Sequence, residues 1–259
     1  MEDEEAIVGT ADGHLYIVSR GGKLINARKA HDGPCYAVAI ADAHVDAAPP
    51  GGDGGGRNVP WDGIVSGGGD GMVRVWSARA EPVAEIDIRK LGSGTAGVRH
   101  VAVHSDGRRL LAGTTHGELW ETWIETGESV HETGAIASGH HKGWAAGLAA
   151  HPKEPIVCSS GDDGSLRLWH VPEHRLEAVV NLGGKARAVA FSPDGALIAV
   201  GMGAGTGAGR SREDGRLVVL NAHDFSVVHR AHDAREWITD VRFSPAGDLL
   251  AVASADHVI

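Results

Sequence analysis

Apolar residues come in short runs, broken every few positions by Gly, Asp, Ser or Pro, and no stretch carries the spacing of a long amphipathic helix. The stretch VAFSPDGALIAVG, residues 189–201, is typical: a strand-like run, a Ser-Pro-Asp-Gly turn and a second strand-like run. The same order recurs in VAVHSDGRRLLAG (101–113), LAAHPKEPIVCSS (148–160) and VRFSPAGDLLAVA (241–253). Within it His104, His151, Ser192 and Ser244 are equivalent turn residues, spaced by 47, 41 and 52 positions. Self-similarity at about 40 to 45 residues marks a radial or stacked architecture. The pattern predicts an all-β repeat protein.

A second landmark follows each pair of runs. TADGHLYIV (10–18), GGDGMVRVW (68–76), GDDGSLRLW (161–169) and REDGRLVVL (212–220) each place Asp-Gly before another strand-like run. Asp-Gly between two β segments is a tight-hairpin signal, because Gly accepts positive φ and Asp bonds nearby backbone amides. A third landmark is a His ahead of the strand pair, at His31, His140 and His232. The order His, strand, turn, strand, Asp-Gly, strand, Trp resembles the WD repeat, and the resemblance implies a β-propeller of four-stranded blades.

Two repeats carry the full polar set of that motif. Ser66 and Asp70 precede Trp76 by ten and six residues, as Ser159 and Asp163 precede Trp169. The resemblance implies a hydrogen-bonded chain from Trp to Ser to His to Asp, assigned to His31, Ser66, Asp70 and Trp76, and to His140, Ser159, Asp163 and Trp169. A satisfied buried network fixes one packing of strand on strand. His140, His141 and His151 lie close in sequence, yet His151 reads as a turn residue and His141 has no assigned part, so a zinc site built from the three is not expected.

Other repeats are degenerate. The one around LLAGTTHGELWETW has Ala112 for Ser, His116 for Asp and Thr122 for Trp, and a further repeat has Leu220 for Trp. Gly-rich insertions are expected at 42–62 and 201–214; the second has neither a Gly-Lys-Ser/Thr pattern nor a helix-opening one, so no nucleotide site is predicted. Residues 1–30 read as a partial first blade with two strands, and 31–259 as propeller blades with the last incomplete. Both ends then carry second and third strands, and the expectation is an incomplete ring or fragment.

Composition narrows the classes. A formal charge of −10 opposes phosphate backbones and anionic headgroups, so neither nucleic acid nor membrane is an expected partner. Cys35 and Cys158 are too few for a disulfide framework, which fits a reducing compartment. The start MEDEEAIVGT is acidic where a targeting signal would be basic. No Gly-x-Ser-x-Gly elbow, phosphate loop or His-Glu-x-x-His motif occurs, so no enzyme, catalytic residue, cofactor, metal or small-molecule substrate is predicted.

Several peptides go beyond a generic WD repeat. RKAHDGPCYAVAI, IVSGGGDGMVRVW, GHHKGWAAGLAAHP, WHVPEHRLEAVV and DVRFSPAGDLLAVASADHVI, in this order between Ala6 and Ile259, resemble consecutive blades of the echinoderm microtubule-associated protein-like family. That family has tandem propellers preceded by a hydrophobic signature region and, in many members, a coiled coil. The resemblance implies the end of a first propeller and most of a second, serving as a scaffold that binds tubulin or microtubules in the cytoplasm, at the cytoskeleton or cilium. The alternative is an adaptor of another assembly, such as a ubiquitin ligase or trafficking complex. Candidate partner contacts are Trp144 and Trp237, each seven residues before its turn residue, and the basic pairs Arg108 with Arg109 and Lys185 with Arg187.

Overall fold

A computed structural model of the chain describes residues 5–41, 63–91, 94–104, 109–123, 140–203 and 215–256. Apart from a single turn of 3-10 helix at Ile88–Leu91, its regular elements are β-strands in six antiparallel sheets. The first sheet holds β1 (Glu5–Gly9), β2 (His14–Ser19) and β3 (Leu24–Lys29). The second holds β4 (Cys35–Ala41), β5 (Gly63–Gly68), β6 (Met72–Ser77) and β7 (Pro82–Asp87), and the third β8 (Val98–Val103), β9 (Arg109–Thr114) and β10 (Leu119–Trp123). The fourth is built from β11 (Ala145–Ala150), β12 (Ile156–Gly161), β13 (Ser165–His170) and β14 (Arg175–Asn181). The fifth has β15 (Lys185–Phe191), β16 (Leu197–Gly203), β17 (Gly215–Asn221) and β18 (Val227–Ala234), and the sixth β19 (Ile238–Phe243) and β20 (Leu250–Ser254).

Within each sheet every strand pairs with the next in sequence, which is how a propeller blade is wound. The first strands of successive sheets lie side by side, β4 on β8, β8 on β11, β11 on β15 and β15 on β19. The fold is the expected all-β propeller. No strand of the first sheet pairs with one of the sixth among the described residues, so strand pairing closes no ring.

Burial explains the sequence pattern. β5 lies second in its blade and is buried along its whole length, whereas β14, the outermost strand of its blade, alternates between exposed and half-buried. Continuous apolar runs therefore mark middle strands and alternating ones mark rims. The core sits between blades: Val65, Val73 and Val75 of the second sheet pack with Val98, Val101 and Leu110 of the third. Leu111 and Leu119 of the third pack in turn with Leu148, Val157 and Trp169 of the fourth.

Two boundaries differ from the sequence reading. The first sheet shows three strands rather than two, because LINARK, with little apolar alternation, pairs along β2 from His14↔Lys29 to Val18↔Leu24. Residues 201–203 belong to β16, held by Gly201↔Ala188, Met202↔Ala186 and Gly203↔Lys185, and are not the start of an insertion. The stretches 42–62 and 204–214 lie outside the described residues.

One irregularity recurs at the start of each blade from the second to the sixth. The first strand shifts register between Cys35 and Ala37, Val98 and His100, Ala145 and Gly147, Ala186 and Ala188, and Ile238 and Asp240. The extra residue has no partner opposite it, and the bulge bends the strand and turns that side chain out of the ladder. Tyr36, Arg99, Ala146, Arg187 and Thr239 occupy these positions.

Candidate functional site

In the second blade the Trp76 indole N–H donates to Ser66 Oγ at 2.9 Å, Ser66 Oγ lies 2.8 Å from His31 Nε2, and His31 Nδ1 lies 2.9 Å from Asp70 Oδ1. One neutral tautomer satisfies the chain: Ser66 donates to Nε2, and Nδ1–H donates to the carboxylate. Asp70 also accepts from Arg74 at 2.8 Å and from the amides of Asp32 and Met72. Burial opposes ionisation of Asp70, but bonds from Arg74 and His31 outweigh it and hold the carboxyl down at about 2. Desolvation lowers His31 from its ordinary value, against the pull of Asp70, which keeps the imidazole neutral.

The fourth blade repeats this with one change of residue. Trp169 donates to Ser159 at 2.9 Å, but the imidazole 2.8 Å from Ser159 and 2.9 Å from Asp163 belongs to His141. His140, the expected member, is exposed. The reason is the offset to the strand: His31 stands four residues before Cys35, where β4 begins, and His141 four before Ala145, where β11 begins. His-x-Gly, present as His31-Asp32-Gly33 and His141-Lys142-Gly143, carries that signal in the sequence. His232 also misses the position; it is an exposed residue of β18. A glycine roofs each imidazole. A Cβ at Gly68 would fall 2.2 Å from His31 Nδ1, and one at Gly161 2.3 Å from His141 Nδ1.

Ser, His and Asp at these distances have the arrangement of a hydrolytic triad. Burial separates the two cases. Ser66 and Ser159 are 0 % exposed and each accepts a bond from a tryptophan, so neither oxygen can meet a substrate. His151 lies apart in a turn, its Nδ1 accepting from the amides of Lys153 and Glu154. Among the described residues no group of three His, Cys, Asp or Glu side chains is placed to hold a metal ion.

In the third and fifth blades the Trp, Ser and His positions all carry other residues, while the fifth keeps an Asp, Asp214, at the Asp position, outside the described residues. The backbone N–H that His31 and His141 direct at a turn glycine is supplied by Ile88 and Leu182. Strand register places Ala112 and Val200 at the Ser position, Trp120 and Val218 at the Arg position, and Thr122 and Leu220 at the Trp position. Most of these are apolar and join the local core. Thr122 is the exception, with a buried hydroxyl that finds no partner among the described residues. Beside it Glu121, missed in the sequence, is buried and pairs with Arg109 at 3.3 Å and with His174 of the fourth blade at 2.7 Å. Arg109 is thereby turned onto a buried carboxylate. Arg108 lies outside the described residues.

The remaining candidates meet at one end of the first strands. Trp144 and Trp237 stand just before β11 and β19, beside the bulge residues, and are 37 % and 45 % exposed; Tyr36 is 40 % exposed. The Arg99 guanidinium lies 4.7 Å from the Tyr36 ring centre and 5.0 Å from that of Trp144. Arg187 lies 5.8 Å from Trp144 and 5.4 Å from Trp237. The result is a row, Tyr36, Arg99, Trp144, Arg187, Trp237, crossing from blade to blade. Lys185 and Arg187 flank Asp162, at 2.8 and 3.6 Å. Gly203 makes room for the last ring, since a Cβ there would fall 2.3 Å from the Trp237 Cβ. Tyr36 and Arg99 escaped the sequence reading because each looks like an ordinary residue of its strand until the bulge turns it out.

Residues 145–259 match the family model described as the echinoderm microtubule-associated protein second beta-propeller. Along its whole length the chain is similar to the echinoderm microtubule-associated proteins. It is 29 % identical to echinoderm microtubule-associated protein-like 2 of Mus musculus over 266 residues, covering 100 % of this chain and 34 % of that protein. The human counterpart is 28 % identical over 266 residues, with the same shares. The 77 kDa echinoderm microtubule-associated protein of Strongylocentrotus purpuratus is 26 % identical over 260 residues, 98 % of this chain and 32 % of that protein. The chain thus spans about a third of the length of these relatives.

Proposed function

We propose that the chain is a non-enzymatic docking propeller of the microtubule-associated type, which binds tubulin or microtubules in the cytoplasm as part of the cytoskeleton. One observation carries this reading: the row of half-exposed aromatic rings and arginines that five successive blades build at one end of their first strands. Trp, Tyr and Arg are the side chains that dominate binding energy at protein interfaces. The names of the similar proteins support microtubules as the partner. Burial of both Ser–His–Asp sets supports a non-enzymatic role. No helix of the described residues is long and apolar enough to cross a membrane.

Co-sedimentation of the 259-residue chain with stabilised microtubules tests the reading. Saturable pelleting that weakens when Trp144 and Trp237 are both replaced by Ala is the expected result. A chain that stays in the supernatant at every microtubule concentration contradicts it.

A further inference from the structure

The guanidinium groups of Arg99 and Arg187 are held in an unusual state. Each lies between two aromatic rings, and the Nε of each is buried without a hydrogen-bond partner among the described residues. Among the described residues Arg99 has no ion pair, and Arg187 meets only Asp162, at 3.6 Å. Burial lowers the Arg99 pKa, and the nearby Arg187 charge adds to this. The group remains a cation, because guanidinium does not deprotonate in proteins. The guanidinium N–H donors lie in one plane and suit bidentate carboxylate binding.

We propose that this face takes an acidic, extended peptide segment, whose carboxylates seat on Arg99 and Arg187 while its backbone crosses the rings of Tyr36, Trp144 and Trp237. The inference rests on the reading of the chain as a docking propeller, but not on the partner being a microtubule. Charge favours an anion: among the described residues Arg99 has no ion-pair partner, and Arg187 and Lys185 share the carboxylate of Asp162. A cationic peptide is disfavoured because the rings already hold the protein's own cations. Dense polyanions such as nucleic acid meet the overall charge of −10 at long range, whereas a short acidic segment feels mainly the local cations within a Debye length of about 8 Å. Alternate side chains of an extended strand are about 7 Å apart on one side. The two guanidinium groups lie 5.0 and 5.8 Å from the centre of one shared ring, Trp144, close enough for carboxylates of one extended peptide to reach both.

Fluorescence anisotropy with a labelled decaglutamate peptide, and with decaglutamine as its neutral counterpart, tests the proposal on the whole chain. Binding of the glutamate peptide that falls with added salt, with none of the glutamine peptide, is expected. R187Q and the double variant R99Q/R187Q are expected to weaken it by about tenfold or more, while R230Q, at an exposed arginine of β18, leaves it unchanged. R187K, which keeps the charge but not the planar fork, is expected to fall between. If R99Q lowers the melting temperature, R187Q and W237L at the more exposed end of the row carry the test. No binding of decaglutamate, equal binding of decaglutamine, indifference to R187Q and W237L, or tighter binding of labelled single-stranded DNA would each overturn the proposal. Glutamate-peptide binding by a chain that ignores microtubules removes the microtubule reading and keeps this one. Microtubule pelleting by a chain that ignores decaglutamate does the reverse.

Discussion

The fourth and fifth blades have the same four strands in the same order, yet they hold their middles together by different chemistry. In the fourth, Trp169, Ser159, His141 and Asp163 form a buried polar chain. In the fifth, Leu220, Val200 and Leu182 fill the corresponding places and pack with Ile198 and Val218. A buried polar group costs free energy when its partner is missing, so a complete network and apolar residues at the Trp, Ser and His places are both admissible. A mixture is not. The third blade is an intermediate case, where Thr122 keeps a buried hydroxyl that has no partner among the described residues.

The largest effect expected from this contrast is at the tryptophan. Trp169→Ala removes a side chain that is 1 % exposed and leaves Ser159 without its donor, which is expected to cost about 3–5 kcal/mol in thermal or denaturant unfolding. Leu220→Ala at the matching position is expected to cost less, since it opens a smaller cavity and strands no polar atom. Next comes mixing the two chemistries. Val200→Ser in the fifth blade is expected to destabilise by about 1–3 kcal/mol, because the hydroxyl arrives where its neighbours are apolar. A neutral result would show that the two sets are not alternatives.

Acid should act on the braced blades in two steps. Burial depresses His31 and His141, so the neutral imidazole belongs to the folded state; this contribution is intact above the ordinary value of 6.5 and is lost as pH falls below it. Asp70, held at about 2 against an ordinary 3.8, contributes above about pH 4 and loses that contribution as pH falls toward 2. Burial also holds His100 down at about 4, so the difference between wild type and His141→Leu, not the wild-type slope alone, measures the brace. The variant is expected to lose less stability between pH 7 and 5, as followed by melting temperature. The smallest effect expected is from His140→Ala, within about 0.5 kcal/mol of wild type, as for an exposed residue outside the network. A loss matching that of His141→Ala would remove the distinction between the two histidines.

Much of the blade plan was legible because tight turns demand Asp-Gly and middle strands demand continuous apolar runs. The Ser66 and Ser159 positions were fixed by their offset to a tryptophan on the neighbouring strand, a distance within one hairpin that no insertion disturbs. The histidine lies outside that hairpin, so in a His140-His141 pair the offset to the tryptophan cannot choose; the offset to the following strand can. Glu121 and Arg109 were opaque for another reason. Glu121 also meets His174, at a positive φ of 48° in a turn of the next blade, and sequence distance does not reveal such a contact. The aromatic and arginine row was half visible, through Trp144 and Trp237. Its other members depend on register shifts that alternation in sequence does not mark.

A double-mutant cycle of His141→Leu and Ser159→Val, read by denaturant unfolding, tests most directly whether the polar set acts as one unit. Each single change breaks the same chain, so the double is expected to cost less than the two together by at least about 1 kcal/mol. Additivity within about 0.5 kcal/mol would mean that the residues stabilise the blade separately, and the account of two interchangeable sets would fail.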